Sequence, residues 1–449
     1  MANLDVFFKP SSIAVIGASR NPSKIGYSIL ENVKHSFKGE IYPINPNATE
    51  ILGLEVFPSI NDVEEKIDLA VIAVPSEMVF EMLSGCIKKK IRGAIIISSG
   101  FREIGEKQRE LKLEKLKNKI RIIGPNCIGT FVPNELDMLF LDRKKLKRPS
   151  EGSIGFITHS GAVGSALLDM ASNEGVGISK FASIGNRIDV DEVDLLEYLG
   201  KDVETRCIVL YLESTERGSE LINVAKKIKK PIIALKAGKT EKGGEAVVSH
   251  TGALAGSGNI YSTAFRQAGI IETNNIEDIF DCAKALSTQP VLKGKKIAIL
   301  TNGGGLGIIT TDLAIDNGLE IAELSKETSK ALKKVLPSYA SPNNPVDITG
   351  DADTARYEKA IEILMKDKEI DGVICITLFQ TPTLEDDIIE VLKDSKMYGK
   401  PFIVCATGGE YTFERAKKLE RFGVPVYSTP QRAVKAMRCL LDYGKVLKR

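Results

Sequence analysis

The stretch Ile154-Gly-Phe-Ile-Thr-His-Ser-Gly-Ala-Val-Gly-Ser-Ala-Leu-Leu-Asp169 decides the fold, because the chain contains it twice. It aligns without gaps on Ile297-Ala-Ile-Leu-Thr-Asn-Gly-Gly-Gly-Leu-Gly-Ile-Ile-Thr-Thr-Asp312. Each copy is an apolar strand that runs into a glycine-rich turn, and the turn opens a helix. Free backbone N–H groups at such a turn favour an anion. The pattern predicts two related α/β units, each with an anion-binding turn.

The two copies stay parallel beyond their turns. The middle strand Ile208-Val-Leu-Tyr-Leu-Glu213 corresponds to Val373-Ile-Cys-Ile-Thr377, and Lys230-Pro-Ile-Ile-Ala-Leu235 corresponds to Lys400-Pro-Phe-Ile-Val-Cys405. Each copy therefore has the pattern of a small flavodoxin-like domain. Two such domains facing each other could aim two helix N-termini at one phosphate.

The first part of the chain also alternates strands with helices. Ser12-Ile-Ala-Val-Ile-Gly-Ala-Ser19 is an apolar strand that ends in glycine, and a helical period follows at 25–33. Four further apolar runs are separated by helix-length segments, at 40–45, 69–75, 93–98 and 120–124. Buried strands that alternate with helices predict a parallel, doubly wound sheet whose ligand binds at the carboxyl ends of the strands.

Length and composition are consistent with this organisation. The 449 residues allow about three domains of about 150 residues each. Hydrophobic content of 43% and charged content of 27% are typical of a globular protein, and the net charge of +2 indicates no nucleic-acid partner. We expect an α/β chain with a Rossmann-like domain over 1–140 and two flavodoxin-like domains over 150–288 and 292–449.

The sequence lacks the patterns of several other protein classes. Its N-terminus has no signal-like pattern and no apolar run has the length of a membrane span, so we expect a cytoplasmic protein that contacts no membrane. The seven cysteines are scattered without a CxxC pair, which predicts neither a disulfide framework nor a zinc site. No Walker-type loop or kinase signature is present, so we expect no ATP or ADP site in this chain.

The first glycine turn lacks a dinucleotide fingerprint. A dinucleotide site has G-x-G-x-x-G and an acid at the end of the second strand. Here the turn reads Gly17-Ala-Ser-Arg-Asn-Pro-Ser-Lys-Ile-Gly26 and the second strand ends at Asn45. NAD is therefore disfavoured, whereas a phosphorylated ligand still fits beside Arg20 and Lys24. The alternative is a turn that only packs the strand on the helix.

One histidine stands in a run of small residues. Glu245-Ala-Val-Val-Ser-His-Thr-Gly-Ala-Leu-Ala-Gly-Ser257 contains His250 and no neighbour large enough to cover an imidazole. The run is typical of a loop that enters a helix, which predicts a histidine that meets phosphate. The glycine-rich insert at 238–244 precedes it only in the first copy and predicts a mobile arm. The alternative is an ordinary loop or capping histidine.

Three further polar residues are candidates in the first copy and the first domain. Glu213 ends the middle strand, where its carboxylate could accept a proton from one imidazole nitrogen and leave the other nucleophilic. The alternative is a solvated strand-end carboxylate. His159 directly precedes Ser160 and Gly161, so it could line the anion site without reacting. His35 lies at a charged helix end and is expected on the surface.

These motifs together are similar to those of a known family. The chain resembles the α subunits of ADP-forming acetyl-CoA synthetases, in the nucleoside-diphosphate-forming acyl-CoA synthetase superfamily that includes succinyl-CoA synthetase. The resemblance covers essentially the whole chain, and the family has a CoA-binding domain followed by two ligase domains. It is carried by Ile13-Ala-Val-Ile-Gly-Ala-Ser19, Gly124-Pro-Asn-Cys-Ile-Gly129, Thr158-His-Ser-Gly-Ala162, Ser249-His-Thr-Gly-Ala-Leu-Ala-Gly256 and Thr301-Asn-Gly-Gly-Gly305.

The resemblance implies a reversible reaction in three steps. Acyl-CoA and phosphate give acyl phosphate and CoA, the phosphoryl group moves to a histidine, and phosphohistidine passes it to ADP. The family's phosphorylated histidine corresponds to His250, and its supporting glutamate corresponds to Glu213. The family's phosphate site lies between two helix starts, which correspond here to Ser160 with Gly161 and to Gly303, Gly304 and Gly305.

The resemblance also implies the remaining ligands and partners. ADP or ATP with Mg²⁺ would bind to a separate ATP-grasp β subunit in an assembly of two α and two β chains, and no residue of this chain would bind a metal. The alternatives are a CoA-binding or acyl-sensing regulatory subunit without chemistry, and the ligase half of a protein acetyltransferase. Implied CoA contacts on the first domain are Gly17, Ala18, Ser19, Lys24, Pro75, Ser98 and Asn126.

Overall fold

The computed structural model describes residues 4–251 and 257–448, without the side chains of His250 and Thr251. The chain divides into two compact units. The first unit contains residues 1–173 and 177–274, and the second contains residues 174–176 and 275–449. The boundaries of the three predicted domains stay a prediction.

A five-stranded parallel sheet forms the amino-terminal part of the first unit. Its strands are β1 (Ser12–Ile16), β2 (Glu40–Ile44), β5 (Leu69–Ile72), β6 (Gly93–Ile96) and β7 (Arg121–Ile123), and β3 (Glu50–Ile51) pairs with β4 (Leu54–Glu55) beside it. Its helices are α1 (Ile25–Ser36), α2 (Ser76–Lys88) and α3 (Lys107–Glu114), with 3₁₀ turns at Leu4–Phe7, Ile60–Asp62 and Arg102–Ile104. The strand order β2-β1-β5-β6-β7 reverses between β1 and β5. Ligands of doubly wound sheets bind at such a reversal.

A second, seven-stranded sheet completes the first unit. Its strands are β8 (Thr130–Val132), β9 (Leu136–Asp137), β10 (Glu151–Thr158), β11 (Ile178–Ser183), β12 (Cys207–Leu212), β13 (Ile232–Lys236) and β14 (Ile271–Thr273). Its helices are α4 (Gly161–Glu174), α5 (Glu192–Lys201), α6 (Gly218–Lys227), α7 (Glu241–Thr251) and α8 (Gly258–Ala268). The parallel strands follow the order β14-β13-β12-β10-β11, and the antiparallel pair β8 and β9 extends the β11 edge. This is the flavodoxin order 2-1-3-4-5.

The second unit repeats that order. Its strands are β15 (Lys296–Thr301), β16 (Glu320–Ile321), β17 (Val346–Asp347), β18 (Gly372–Ile376), β19 (Phe402–Cys405) and β20 (Val426–Tyr427). Its helices are α9 (Ile276–Thr288), α10 (Gly304–Asp316), α11 (Lys326–Val335), α12 (Thr354–Lys366), α13 (Ile388–Asp394), α14 (Glu410–Arg421) and α15 (Pro430–Val446), with a 3₁₀ turn at Ser395–Tyr398. The order β16-β15-β18-β19-β20 matches β11-β10-β12-β13-β14 strand for strand. The predicted fold class and the internal repeat are confirmed.

The segment predicted as a loop is largely helical in its described part, so the expectation of a loop is wrong there, whereas the predicted mobility stays a prediction. Helix α7 begins inside the predicted insert and includes His250. The hydroxyl oxygen of Thr240 accepts the N–H of Gly243 at 3.1 Å, which satisfies one of the free amides at a helix start. The sequence interpretation gave more weight to the glycines than to this cap. Residues 252–256 lie outside the described residues.

The described residues were compared with the patterns of membrane-spanning helices and of metal-binding groups. No helix among residues 4–251 and 257–448 is long and apolar enough to cross a membrane. In the same ranges, no group of three or more histidine, cysteine, aspartate or glutamate side chains could hold a metal ion.

Candidate active site

A cavity of about 870 Å³ lies at the carboxyl edge of the first unit. Its walls are the segments that follow β1, β5, β6, β7 and β10. The first sheet places this cavity beside the reversal of its strand order, where such folds bind ligands. The cavity is lined by all seven residues expected to bind CoA and by two expected to bind phosphate, namely Gly17, Ala18, Ser19, Lys24, Pro75, Ser98, Asn126, Ser160 and Gly161.

The turn after β1 lines the cavity with glycine residues, which have no side chains. Gly17 has φ of +91°, and a Cβ there would lie 2.4 Å from the carbonyl oxygen of Ala73. A Cβ on Gly26 would lie 1.9 Å from the carbonyl oxygen of Gly17. Both positions require glycine, so α1 begins close against the turn. The side-chain amide of Asn45 donates to the carbonyl of Ala18 at 2.6 Å and fixes the turn.

Hydrogen bonds made by Ser98 and Asn126 connect the segments of the opposite wall of the cavity. The hydroxyl of Ser98 donates to the carbonyl of Val74, and the N–H of Asn126 donates to the carbonyl of Ser98 at 2.9 Å. Asn126 has φ of +60°, a left-handed conformation that asparagine tolerates better than most residues. These contacts hold the ends of β5 and β6 against the loop after β7.

The turn after β10 carries the helix start expected to bind phosphate. The hydroxyl of Thr158 donates to the carbonyl of Ser160 at 2.7 Å, and the N–H of Val163 donates to the Ser160 hydroxyl at 3.4 Å. A Cβ on Gly161 would lie 2.6 Å from Cγ2 of Ile128. The first amides of α4 have no acceptor within their own helix, and the helix dipole favours an anion there.

His159 lies in the wall of the same cavity. Its Nδ1 accepts the N–H of Glu213 at 3.3 Å, and its Nε2 lies 3.3 Å from Oε2 of Glu192. Burial and then the charge of Arg187 lower the pKa of His159. The ring is therefore neutral near pH 7, with its proton on Nε2. Arg187 also pairs with Glu192 at 3.1 Å.

Glu213 follows β12 and is buried, with 6% of its surface exposed. The alternative of a solvated strand-end carboxylate is therefore wrong. Its carbonyl accepts Nζ of Lys236 at 2.7 Å. Burial lowers the pKa of Lys236 to about 8, although the negative charge of Glu213 acts to raise it. Burial and then the Glu213 carboxylate raise the pKa of Tyr211 to about 12.

The second unit carries its own glycine turn after β15. Asp347 fills the space beside Gly304, because a Cβ there would lie 2.5 Å from its Oδ2. Gly305 has no neighbour within 4 Å of a Cβ position, so a side chain there would meet open space. The hydroxyl of Thr301 donates to the carbonyl of Gly303 at 3.0 Å, as Thr158 does in the first copy. Gly303, Gly304 and Gly305 thus form the start of α10.

The structure also locates the two remaining histidines and three polar residues that were not predicted from the sequence. His250 lies in α7, and its side chain lies outside the described residues. His35 is exposed in the last turn of α1, as expected. The sequence interpretation missed the buried residues Glu192 and Lys236 and the partly buried Arg187 around the site. Only Lys236 had a clear signal, as a lysine that ends a wholly apolar strand.

Three family models match the chain in consecutive blocks. Residues 11–133 match a CoA binding domain, residues 151–286 match a succinyl-CoA ligase like flavodoxin domain, and residues 297–438 match a ligase-CoA domain. Several relatives match over nearly the whole of this chain. The α subunit of acetate–CoA ligase [ADP-forming] II from Pyrococcus furiosus is 39% identical, and the match covers 98% of both chains.

The chain belongs to the ADP-forming acetate–CoA ligase α subunits. The family predicted from the motifs is confirmed, and so is its class as an acid–thiol ligase. The acetate–CoA ligase [ADP-forming] of Methanocaldococcus jannaschii is 42% identical, and this α chain spans 62% of that relative's length.

A solved structure agrees with the family assignment. Acetyl-coenzyme A synthetase 1 of Candidatus Korarchaeum cryptofilum, described as dinucleotide forming and solved with phosphate and ADP, is 39% identical. It superposes with a TM-score of 0.91 over 100% of this chain and 98% of that one.

Proposed function

We propose that this α chain converts acyl-CoA and phosphate into an acid, CoA and a phosphohistidine at His250, which then phosphorylates ADP on a partner subunit. The main support is the single cavity that joins the expected CoA contacts to Ser160 and Gly161. A thioester bound there lies beside a helix start suited to phosphate. Acetate is the acyl group expected from the relatives' names.

The first step is attack of a phosphate oxygen on the thioester carbonyl carbon. A C–O bond forms, the C–S bond breaks, and CoA leaves as a thiolate. Ser160 and Gly161 orient the phosphate, and the amides at the start of α4 stabilise its charge. Gly303, Gly304 and Gly305 are proposed to contribute the second helix start.

The second step is attack of a neutral imidazole nitrogen on the phosphorus of the acyl phosphate. The P–N bond forms, the P–O bond to the acyl group breaks, and the carboxylate leaves. The surroundings of the other two histidines favour His250 as the nucleophile. His35 is exposed at a helix end, and both ring nitrogens of His159 face protein groups.

Glu213 is proposed to orient the His250 ring and to stabilise the positive charge that develops on it. Glu213 is buried, and its backbone is held by hydrogen bonds to His159 and Lys236, which fixes the point from which the carboxylate extends. Helix α7 has one buried residue among 241–249, Val247. So small a buried surface suits an element that moves between two sites.

The nucleotide is proposed to bind to a separate ATP-grasp β subunit, with Mg²⁺, in an α₂β₂ assembly in the cytoplasm. Two observations support a partner. The Pyrococcus relatives are named as α subunits, and the longer Methanocaldococcus relative has sequence beyond the part that matches this chain.

ATP synthesis by purified subunits tests this function. The α chain with acetyl-CoA, phosphate, Mg²⁺ and ADP should form no ATP alone, and should form it when an ATP-grasp β subunit is added. A panel of acyl-CoA thioesters would define the preferred acid. ATP formation by the homogeneous α chain alone would contradict the proposal. Acyl-CoA binding without turnover, even with a competent β subunit, would favour a regulatory subunit instead.

A further inference from the structure

A side chain at the end of the first strand in each copy accepts a hydrogen bond from the end of the neighbouring middle strand. In the first copy, the N–H of Glu213 donates to Nδ1 of His159 at 3.3 Å. In the second copy, the N–H of Leu378 donates to Oδ1 of Asn302 at 2.9 Å. A histidine and an asparagine therefore make the same kind of contact.

The strand registers make these two contacts equivalent. Thr158 pairs with Tyr211 in the first copy, and Thr301 pairs with Ile376 in the second. In each copy the acceptor stands one residue after the threonine, and the donor stands two residues after its pairing partner. Both copies therefore have a hydrogen bond between the same two strand ends. The accepting side chain is a histidine in the first copy and an asparagine in the second.

In the first copy this hydrogen bond connects two parts of the proposed active site. His159 directly precedes Ser160, whose turn is proposed to hold phosphate, and the donor is the backbone of Glu213. We propose that His159 is a positioning residue that holds the backbone of Glu213, from which the carboxylate extends, at a fixed distance from the phosphate-binding turn. This inference rests on the proposed function.

The groups around the ring keep it able to accept that hydrogen bond. Only a neutral imidazole has a free lone pair on Nδ1. Burial and the charge of Arg187 favour the neutral ring, whereas the carboxylates of Glu192 and Glu213 oppose them. Glu192 itself is paired with Arg187 at 3.1 Å, which weakens its pull on the ring.

Three substitutions of His159 separate its hydrogen bond from its bulk. His159→Asn places an amide oxygen near the position of Nδ1, as Asn302 does in the second copy. His159→Ala removes the acceptor, and His159→Gln moves the amide toward Glu192. His35→Asn, at an exposed helix end, is the matched control.

The rate at which acetyl-CoA and labelled phosphate phosphorylate the purified α chain is the main measurement. We expect the alanine and glutamine variants to lose about 10- to 100-fold in the maximal rate, with KM for acetyl-CoA changed by less than about threefold. The asparagine variant should recover most of the rate. Wild-type rates in all three variants, or an equal loss in all three, would overturn the inference.

Hydrogen exchange at the Glu213 amide separates this inference from the proposed function. Protection of that amide should fall in His159→Ala and return in His159→Asn, whether or not the chain is phosphorylated. Unchanged protection in His159→Ala would contradict the positioning role. Failure of the wild-type chain to incorporate phosphate, with the exchange pattern as expected, would contradict only the proposed function.

Discussion

The two flavodoxin-like copies share a strand order but differ in the residues at two strand ends. The registers place Glu213 and Lys236 of the first copy at the positions of Leu378 and Ala406 in the second. The first copy thus has a carboxylate and an ammonium group, both buried, where the second has apolar side chains. The glycine turn that opens the first helix is present in both. The fold therefore repeats the glycine turn, and of the two copies only the first has charged residues at these two strand ends.

Burying charged groups costs free energy even when they attract each other, as Glu213 and Lys236 do. Leu378 and Ala406 show that the fold does not need charge at these strand ends. The charged pair Glu213 and Lys236 therefore fits the reaction proposed for the first copy.

The largest effect is expected from Glu213→Gln, which keeps the size of the side chain and removes its charge. Loss of an orienting carboxylate should slow phosphorylation of the α chain by about 10²- to 10⁴-fold. The exposed Glu216 provides the control variant Glu216→Gln, which should react at the wild-type rate. Rates measured by rapid quench with labelled phosphate would decide this. A wild-type rate in Glu213→Gln would show that the buried carboxylate has no part in the step.

A smaller effect is expected when a methyl group is added to either glycine turn. In Gly161→Ala the new Cβ would meet Ile128, and in Gly304→Ala it would meet Asp347. Each change should displace a helix start and slow phosphorylation by about 10- to 100-fold, with a raised KM for phosphate. Gly409→Ala adds the same methyl group in open space and is the control. An effect of Gly161→Ala alone would mean that only the first copy binds phosphate.

The smallest effect concerns the pH dependence of stability through Lys236. Its pKa is lowered to about 8 in the folded chain from an ordinary value of 10.5. Between these values the unfolded chain binds more protons, so this group makes stability rise with pH, by less than about 1.4 kcal/mol per pH unit. Thermal unfolding of the wild type and Lys236→Met at pH 7.5 and 9.5 should show this additional rise only in the wild type. Equal pH slopes would contradict the buried, protonation-sensitive lysine.

Much of the fold was predictable because it depends on local patterns that repeat along the chain. Apolar runs that end in glycine give the strands and the helix starts, and the gap-free alignment of 154–169 with 297–312 predicts the duplicated order. The residues that the resemblance implies as CoA contacts line one cavity because the ends of parallel strands meet at one edge of the sheet, and their role stays a prediction.

The parts that sequence reasoning missed depend on contacts between distant residues. Glu192 and Arg187 approach His159 only after the sheet has formed, and no local pattern distinguishes them from surface charges. The helix that includes His250 was mistaken for a loop because Gly243 and Gly244 are weak helix formers. The cap from Thr240 offsets part of that weakness.

The most direct measurement of the central claim is the site at which the α chain carries phosphate. The purified chain should be incubated with acetyl-CoA and labelled phosphate, digested under alkaline conditions and mapped by mass spectrometry, because phosphohistidine is labile to acid. We predict that the label lies on His250 and is absent from His250→Ala, while His35→Ala incorporates it normally. Label on His159, or label that survives His250→Ala, would contradict the account.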